Sequence, residues 1–180
     1  MNYYGGKEMA ASARTVRNNT VAIAQDIPEE KYSFRPAPET RSVAELFAHI
    51  ALSPSFLLKI HGEERRTTLV GFDFPAYLER LIAEERTPRT KEQVIELLTT
   101  RGEKWTKWIE GLDDAFLAEV VTMPPGSEPA ARTRFDMILG AKEHEMHHRG
   151  QLMLVERMLG IVPHLTRRMQ ERIAASAAKK

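Results

Sequence analysis

The chain has 180 residues, 42% hydrophobic and 28% charged, a balance that argues against wholesale disorder and suits one domain spanning residues 1–180. Its 26 basic and 25 acidic residues give a formal net charge of +1 with no long block of either sign, so neither nucleic acid nor a membrane surface is an expected partner. Cysteine is absent, which excludes disulfides, thiolate metal sites and a cysteine nucleophile and leaves His, Asp and Glu to build any transition-metal site.

The N-terminal stretch lacks the apolar run of a secretory signal, and no segment approaches the ~20 apolar residues of a membrane span, so a soluble cytoplasmic protein is expected. The first helix is predicted over residues 7–27, where Met9, Ala13, Val16, Thr20, Ile23 and Ile27 recur at three- and four-residue steps and Pro28 stops it. Tyr3 and Tyr4 precede it and are candidates to cover a site mouth. A loop follows, because Pro36 and Pro38 forbid regular helix.

Ser42 and Glu45 form an S-x-x-E capping box that opens a second helix, with Leu46, Ile50, Ser53, Leu57 and Ile60 on its buried stripe and His49 at the edge. Pro54 should kink this helix, since it lacks a donor N–H and crowds the carbonyl of Ile50. Residues 62–89 are too long for a turn and are expected to carry a short helix, FPAYLERLIAEE, on a crossover. A third helix opens on the capping box Thr90–Gln93 and points Val94, Leu97, Leu98, Trp105, Trp108 and Ile109 inward. Residues 113–130, with Pro124, Pro125 and Gly126, read as a loop.

The fourth helix, predicted over residues 131–159, has a seam of Ile138, Ala141, Glu145, His148, Leu152, Val155 and Leu159. Gly160 and Pro163 end it, and a short C-terminal helix, HLTRRMQERIAAS, follows. No strand is expected. The predicted fold class is all-α: a four-helix bundle with long crossover connections.

The seam contains EHEMHHRGQ (residues 143–151), and three histidines in five residues need an explanation. A polar helix face would suffice, except that His148 falls on the apolar seam, where an imidazole needs partners or a metal. His144, Glu145 and His148 spell H-E-x-x-H, but the chain has Gln151 and Leu154 where the extended protease motif has Gly and His, and no strand to hold a peptide. A di-iron site needs a second E-x-x-H, and none occurs. What remains is a mononuclear site. His144 and His148 stand one helical turn apart, and His49, at the edge of its own stripe, is the best third ligand. His61 is expected to be exposed, His147 points about 100° away from His148, and His164 lies beyond the break.

YSFRPAPETRSVAELFAHI (residues 32–50) and HEMHHRGQL (residues 144–152) together resemble the DinB/YfiT-like family of four-helix-bundle metalloproteins, whose second motif reads H-x-x-H-H-R-G-Q. The resemblance implies His49, His144 and His148 as ligands of a divalent ion, zinc or nickel first, iron or manganese otherwise. It also implies a homodimer, and an activity in the range of thiol-dependent S-transferases, isomerases and hydrolases.

Three neutral imidazoles leave a divalent ion open positions, the layout of a catalytic site, since structural zinc usually takes four protein ligands. Such an ion lowers the pKa of bound water or takes a thiol as thiolate. In a cysteine-free chain that thiol must be a low-molecular-weight cosubstrate. Glu145 is the candidate catalytic residue, as general base or as acceptor for an imidazole N–H; otherwise it is a helix-face charge paired with an Arg or Lys. Arg149 and Gln151 are expected to point away from the ligand face and tie the fourth helix to a neighbour. Trp105, Trp108 and Phe47 are expected as core, and specificity is expected in loops 62–89 and 113–130. Two functions follow: a metal-dependent enzyme acting on a small molecule, or a non-catalytic, stress-associated protein whose ion only joins two helices.

Overall fold

The computed structural model describes residues 4–178. Tyr3 lies outside them, while Tyr4 packs edge-on against Phe135, so it belongs to the apolar core rather than to the histidines.

Helix α1 (Gly6–Asp26) buries the predicted stripe of Met9, Ala13, Val16, Thr20 and Ile23, and with it Arg17, which no hydropathy pattern places inside. Ile27 turns extended before Pro28, as steric crowding by the proline ring requires. The following loop folds back on the next helix, where Val43 and Ala44 donate to the carbonyls of Phe34 (3.0 Å) and Tyr32 (2.9 Å). Helix α2 (Val43–Leu52) begins with the expected capping box: Ser42 Oγ accepts from Glu45 N (3.2 Å), and the Glu45 carboxylate accepts from Ser42 N (2.9 Å).

Pro54 opens a fresh turn, α3 (Pro54–Leu57), and the chain then widens into a π-helical turn over Leu58–Glu63, in which Glu64 N donates to Lys59 O. The whole run Val43–Glu63 is long and apolar enough to cross a membrane, against the sequence expectation, but 61% of its most apolar window is buried in the bundle. It reads as a core helix. The crossover carries α4 (Phe74–Glu85), capped by Asp73, and α5 (Lys91–Glu110) starts at Thr90 as predicted. Segment 113–130 is not all loop. It holds α6 (Asp114–Ala118) and β1 (Val120–Thr122), which pairs antiparallel with β2 (Ala131–Thr133), Val121 opposite Arg132. Strands of three residues are too short for a two-residue period to announce them. The last helices are α7 (Arg134–Met158) and α8 (His164–Ala177).

Helices α1, α2, α5 and α7 form the bundle, α1 and α2 each packing on α5 and α7. The core divides into two apolar clusters, one around Met9, Leu57, Trp105 and Ile138, the other around Ile23, Phe47, Leu98 and Leu152. Between them lies a polar layer. Buried Arg17 donates from Nε and Nη2 to the two oxygens of buried Glu145 (2.9 Å each), from Nη1 to Leu98 O (2.7 Å) and from Nη2 to Ile50 O (3.3 Å). Thr20 Oγ1 adds a bond to Glu145 Oε1 (2.8 Å). Ile50 O is free for Arg17 because Pro54, four residues on, has no N–H to give it. Gly102 on α5 makes the room, since a methyl there would lie 2.8 Å from Arg17 Cγ.

Glu156 is fully buried near the end of α7, and neither carboxylate oxygen has a hydrogen-bond partner among the described residues. Burial first, and then the negative charge of Asp26, push its pKa from 4.5 up to about 7.

Two stability measurements test these features. Replacing Arg17 with Met strands the Glu145 charge and should cost about 3–5 kcal/mol, whereas Arg17→Met with Glu145→Met should recover a large part in denaturant titrations. Folded Glu156 holds a proton that the unfolded chain releases, so its contribution to stability falls as pH rises from about 4.5 to about 7 and stays low above that. Thermal melts of Glu156→Gln should therefore lose this pH dependence; a slope equal to wild type would assign the dependence elsewhere.

Candidate metal centre

Two helices bring the histidines together. His49 sits mid-way along α2, and its carbonyl is held by Ser53 through both N (2.9 Å) and Oγ (2.6 Å). His144 and His148 project from adjacent turns of α7. Their Nε2 atoms form a nearly equilateral triangle with His49 Nε2: 3.1 Å from His49 to each, and 3.0 Å between the α7 pair.

The outer ring nitrogens fix the tautomers. His49 Nδ1–H donates to Glu85 Oε1 (2.6 Å), and His148 Nδ1–H donates to Gln151 Oε1 (2.8 Å). Each leaves Nε2 as a bare lone pair, and two such lone pairs face each other at 3.1 Å. That contact is repulsive unless a cation lies between them. A divalent ion about 2.0–2.1 Å from each of three imidazoles sets the nitrogens about 3 Å or slightly more apart, so the donor set fits. Burial, then the neighbouring histidines, lower the His144 pKa to about 4; burial chiefly lowers that of His148. Both rings are neutral at pH 7, the form that binds a metal.

Glu85, at the end of α4, is buried and also accepts from Arg41 Nε (2.9 Å). Burial would raise its pKa, but the bonds from His49 and Arg41 outweigh that and hold it below the ordinary carboxylate range. The charged carboxylate therefore orients the His49 ring and strengthens its donor nitrogen.

The other candidates lie elsewhere. Glu145, between the α7 histidines in sequence, gives both oxygens to Arg17 and Thr20 inside the bundle and is not among the donors that converge. His61, expected to be exposed, is fully buried: it accepts from Arg134 Nη1 at Nδ1 (2.7 Å), and burial with that cation lowers its pKa to about 4. Arg134 needed an acceptor inside, and a hydropathy stripe does not register that need. His164 is buried against Asn19 (3.1 Å), and His147 is exposed. Trp105 and Phe47 are core, as expected. Gln151 is a correction, because it faces the site through His148 instead of a neighbouring helix.

A cleft of about 950 Å³ opens at His148 and Gln151, walled by the loop of Arg35–Arg41, the end of α4 and the outer face of α7. Residues 113–130 contribute nothing to it, against expectation; the proline-rich loop before α2 does. Sequence reading also missed Glu85 and Arg41. One signal was present: Glu85 is an acidic residue in the last turn of a helix, where the macrodipole disfavours it unless a cation answers.

A model of the DinB superfamily matches residues 13–152, which hold all three histidines and most of the bundle. The chain belongs to the DinB superfamily. Among individual DinB-like proteins, it is similar to YjoA of Bacillus subtilis, described as uncharacterised, at 25% identity over 146 residues covering 80% of this chain and 84% of that one. A crystal structure of YjoA, described as DinB-like, superposes with a TM-score of 0.62 at 23% identity, covering 85% of this chain and 92% of that one, a likeness of fold.

Glu85→Gln keeps the shape of the site but removes the charge behind His49. It should weaken zinc or nickel uptake about 10–100-fold in competition with a chromogenic chelator, with the melting curve of the metal-free protein little changed. Unaltered affinity would mean that Glu85 serves only to anchor α4.

Proposed function

We propose that this DinB-superfamily protein is a divalent-metal enzyme in which His49, His144 and His148 are the protein ligands. One observation carries the reading: three imidazole Nε2 atoms converge within about 3 Å beside an open cleft, and no carboxylate or fourth imidazole joins them among the described residues. All-imidazole coordination by neutral rings suits zinc or nickel first, with iron or manganese as further possibilities. Bound there, the ion supplies Lewis acidity and lowers the pKa of a water or thiol that enters from the cleft.

The chain's own residues do the positioning. Glu85 holds His49 by its Nδ1–H, Gln151 holds His148 in the same way, and the Arg17–Glu145 pair fixes the rotation of α7 between its two ligands. Glu145, with both oxygens engaged, serves as that anchor in preference to general base. The reaction that fits an open site in a cysteine-free chain is transfer of a low-molecular-weight thiol to an electrophilic small molecule, or metal-assisted hydrolysis of one. A cytoplasmic homodimer is part of the proposal, and the exposed Val162, Met169 and Ile173 along the C-terminal segment support self-association. The alternative function is a non-catalytic ion that only ties α2 to α7, and it calls for a closed coordination shell.

Elemental analysis of tag-free protein beside His49→Ala tests the site. About one equivalent of metal is expected in the wild type and far less in the variant. A small loss of melting temperature on metal removal supports catalysis, and a large loss supports the structural ion. Equal metal in both proteins removes His49 from the ligand set.

A further inference from the structure

The cleft beside the histidines has a chemistry of its own, and its charges show where a ligand is wanted. Three arginines and three glutamates line it. Glu45 is bound to Arg35 (2.7 Å) and closes the capping box of α2, so that pair is spent. Glu85 lies between His49 and Arg41. Arg41 gives it only Nε, and its two terminal nitrogens have no hydrogen-bond partner among the described residues. The Arg86 side chain, exposed on the same wall, has neither a hydrogen bond nor an ion pair among the described residues, and Glu39 on the opposite loop is likewise unpaired. The side chains therefore sum to zero, and a divalent ion held by three neutral imidazoles would leave the cleft at +2.

The remaining wall is apolar. Leu46, Ile82 and Val155 line it, and so do Leu154 and Met158, which are 60% and 53% exposed. Large side chains this open, next to an unpaired guanidinium edge, suit a ligand that is greasy along most of its length and negative at one end.

We infer that the cleft binds an organic carboxylate with an apolar body, its carboxylate taken by the free edge of Arg41 and its body laid along Ile82, Leu154 and Met158. Arg86, further out, steers the anion and adds little to the final grip. The planar guanidinium presents two parallel N–H donors that match a carboxylate, which a neutral or cationic head group cannot use. The inference rests on the metal reading for the reaction that follows, since an anion held at Arg41 shares the cleft with His148, but the cleft's own selectivity is separable from it.

Calorimetric titration of octanoate and of octanol into metal-loaded protein tests this. Octanoate should bind at least about tenfold more tightly, the worth of one charge-assisted hydrogen bond. Arg41→Lys, with metal content verified, should lose about that factor, and Met158→Glu should lose more. Equal binding of the two probes, or octanoate binding untouched by both substitutions, overturns the inference; in the second case the carboxylate is simply taking the ion. If the wild type takes up no metal on reconstitution, the metal reading fails, and the same titrations on ion-free protein still decide the cleft. Octanoate preference that depends on Arg41 and Met158 would uphold it, and its absence would sink it.

Discussion

The guanidinium of Arg17 is buried, so the bundle must supply the acceptors it uses. It finds them on three other helices at one level: the Glu145 carboxylate on α7, the Leu98 carbonyl on α5 and the Ile50 carbonyl on α2. A buried charge left without these partners costs several kcal/mol, so the register of all four helices is set at this layer rather than by the apolar clusters above and below it. Apolar packing tolerates a small slide; a bidentate ion pair does not.

The three-histidine cluster inherits its geometry from that layer. Glu145 lies between His144 and His148, so holding its carboxylate toward α1 turns both imidazoles toward α2. Pro54 belongs to the same arrangement from the other side: by leaving Ile50 O without a helical donor it gives Arg17 an acceptor one residue from His49. Glu85 then reaches in from the crossover helix to set the His49 ring. The H-E-x-x-H string is thus used in two directions, its histidines toward His49 on α2 and its glutamate toward Arg17 on α1, which is how it differs from the protease arrangement it spells.

Much of this could be read from the sequence, and the boundary has physical causes. Caps, proline stops and apolar stripes are local, so α1, α4, α5 and α8 were legible almost to the residue. By contrast, α7 starts only at Arg134 because Ala131–Thr133 pairs as β2, and the single kinked helix expected through Ile60 divides at Pro54 into α2, α3 and a π-helical turn. The three histidines were legible because spacing put two on one turn and stripe position singled out the third. Glu85, Arg41 and the pairing of Glu145 with Arg17 were not, because each is defined by a partner distant in the chain; the seam had already put Glu145 on the inward face. His61 was misjudged for the same reason, Arg134 being 73 residues away. The small hairpin of β1 and β2 escaped because three residues carry no usable period.

The partners of Arg17 also order events during synthesis. They lie 33, 81 and 128 residues downstream, so α1 leaves the ribosome long before its counter-charge exists. A nascent three-helix assembly of α1, α2 and α5 would give Arg17 the Leu98 and Ile50 carbonyls but no counter-charge, which makes that intermediate a poor resting place. The chain is therefore committed to closing late and all together, once α7 has emerged. A truncation anywhere before Glu145 should leave an open polypeptide in place of a smaller folded unit.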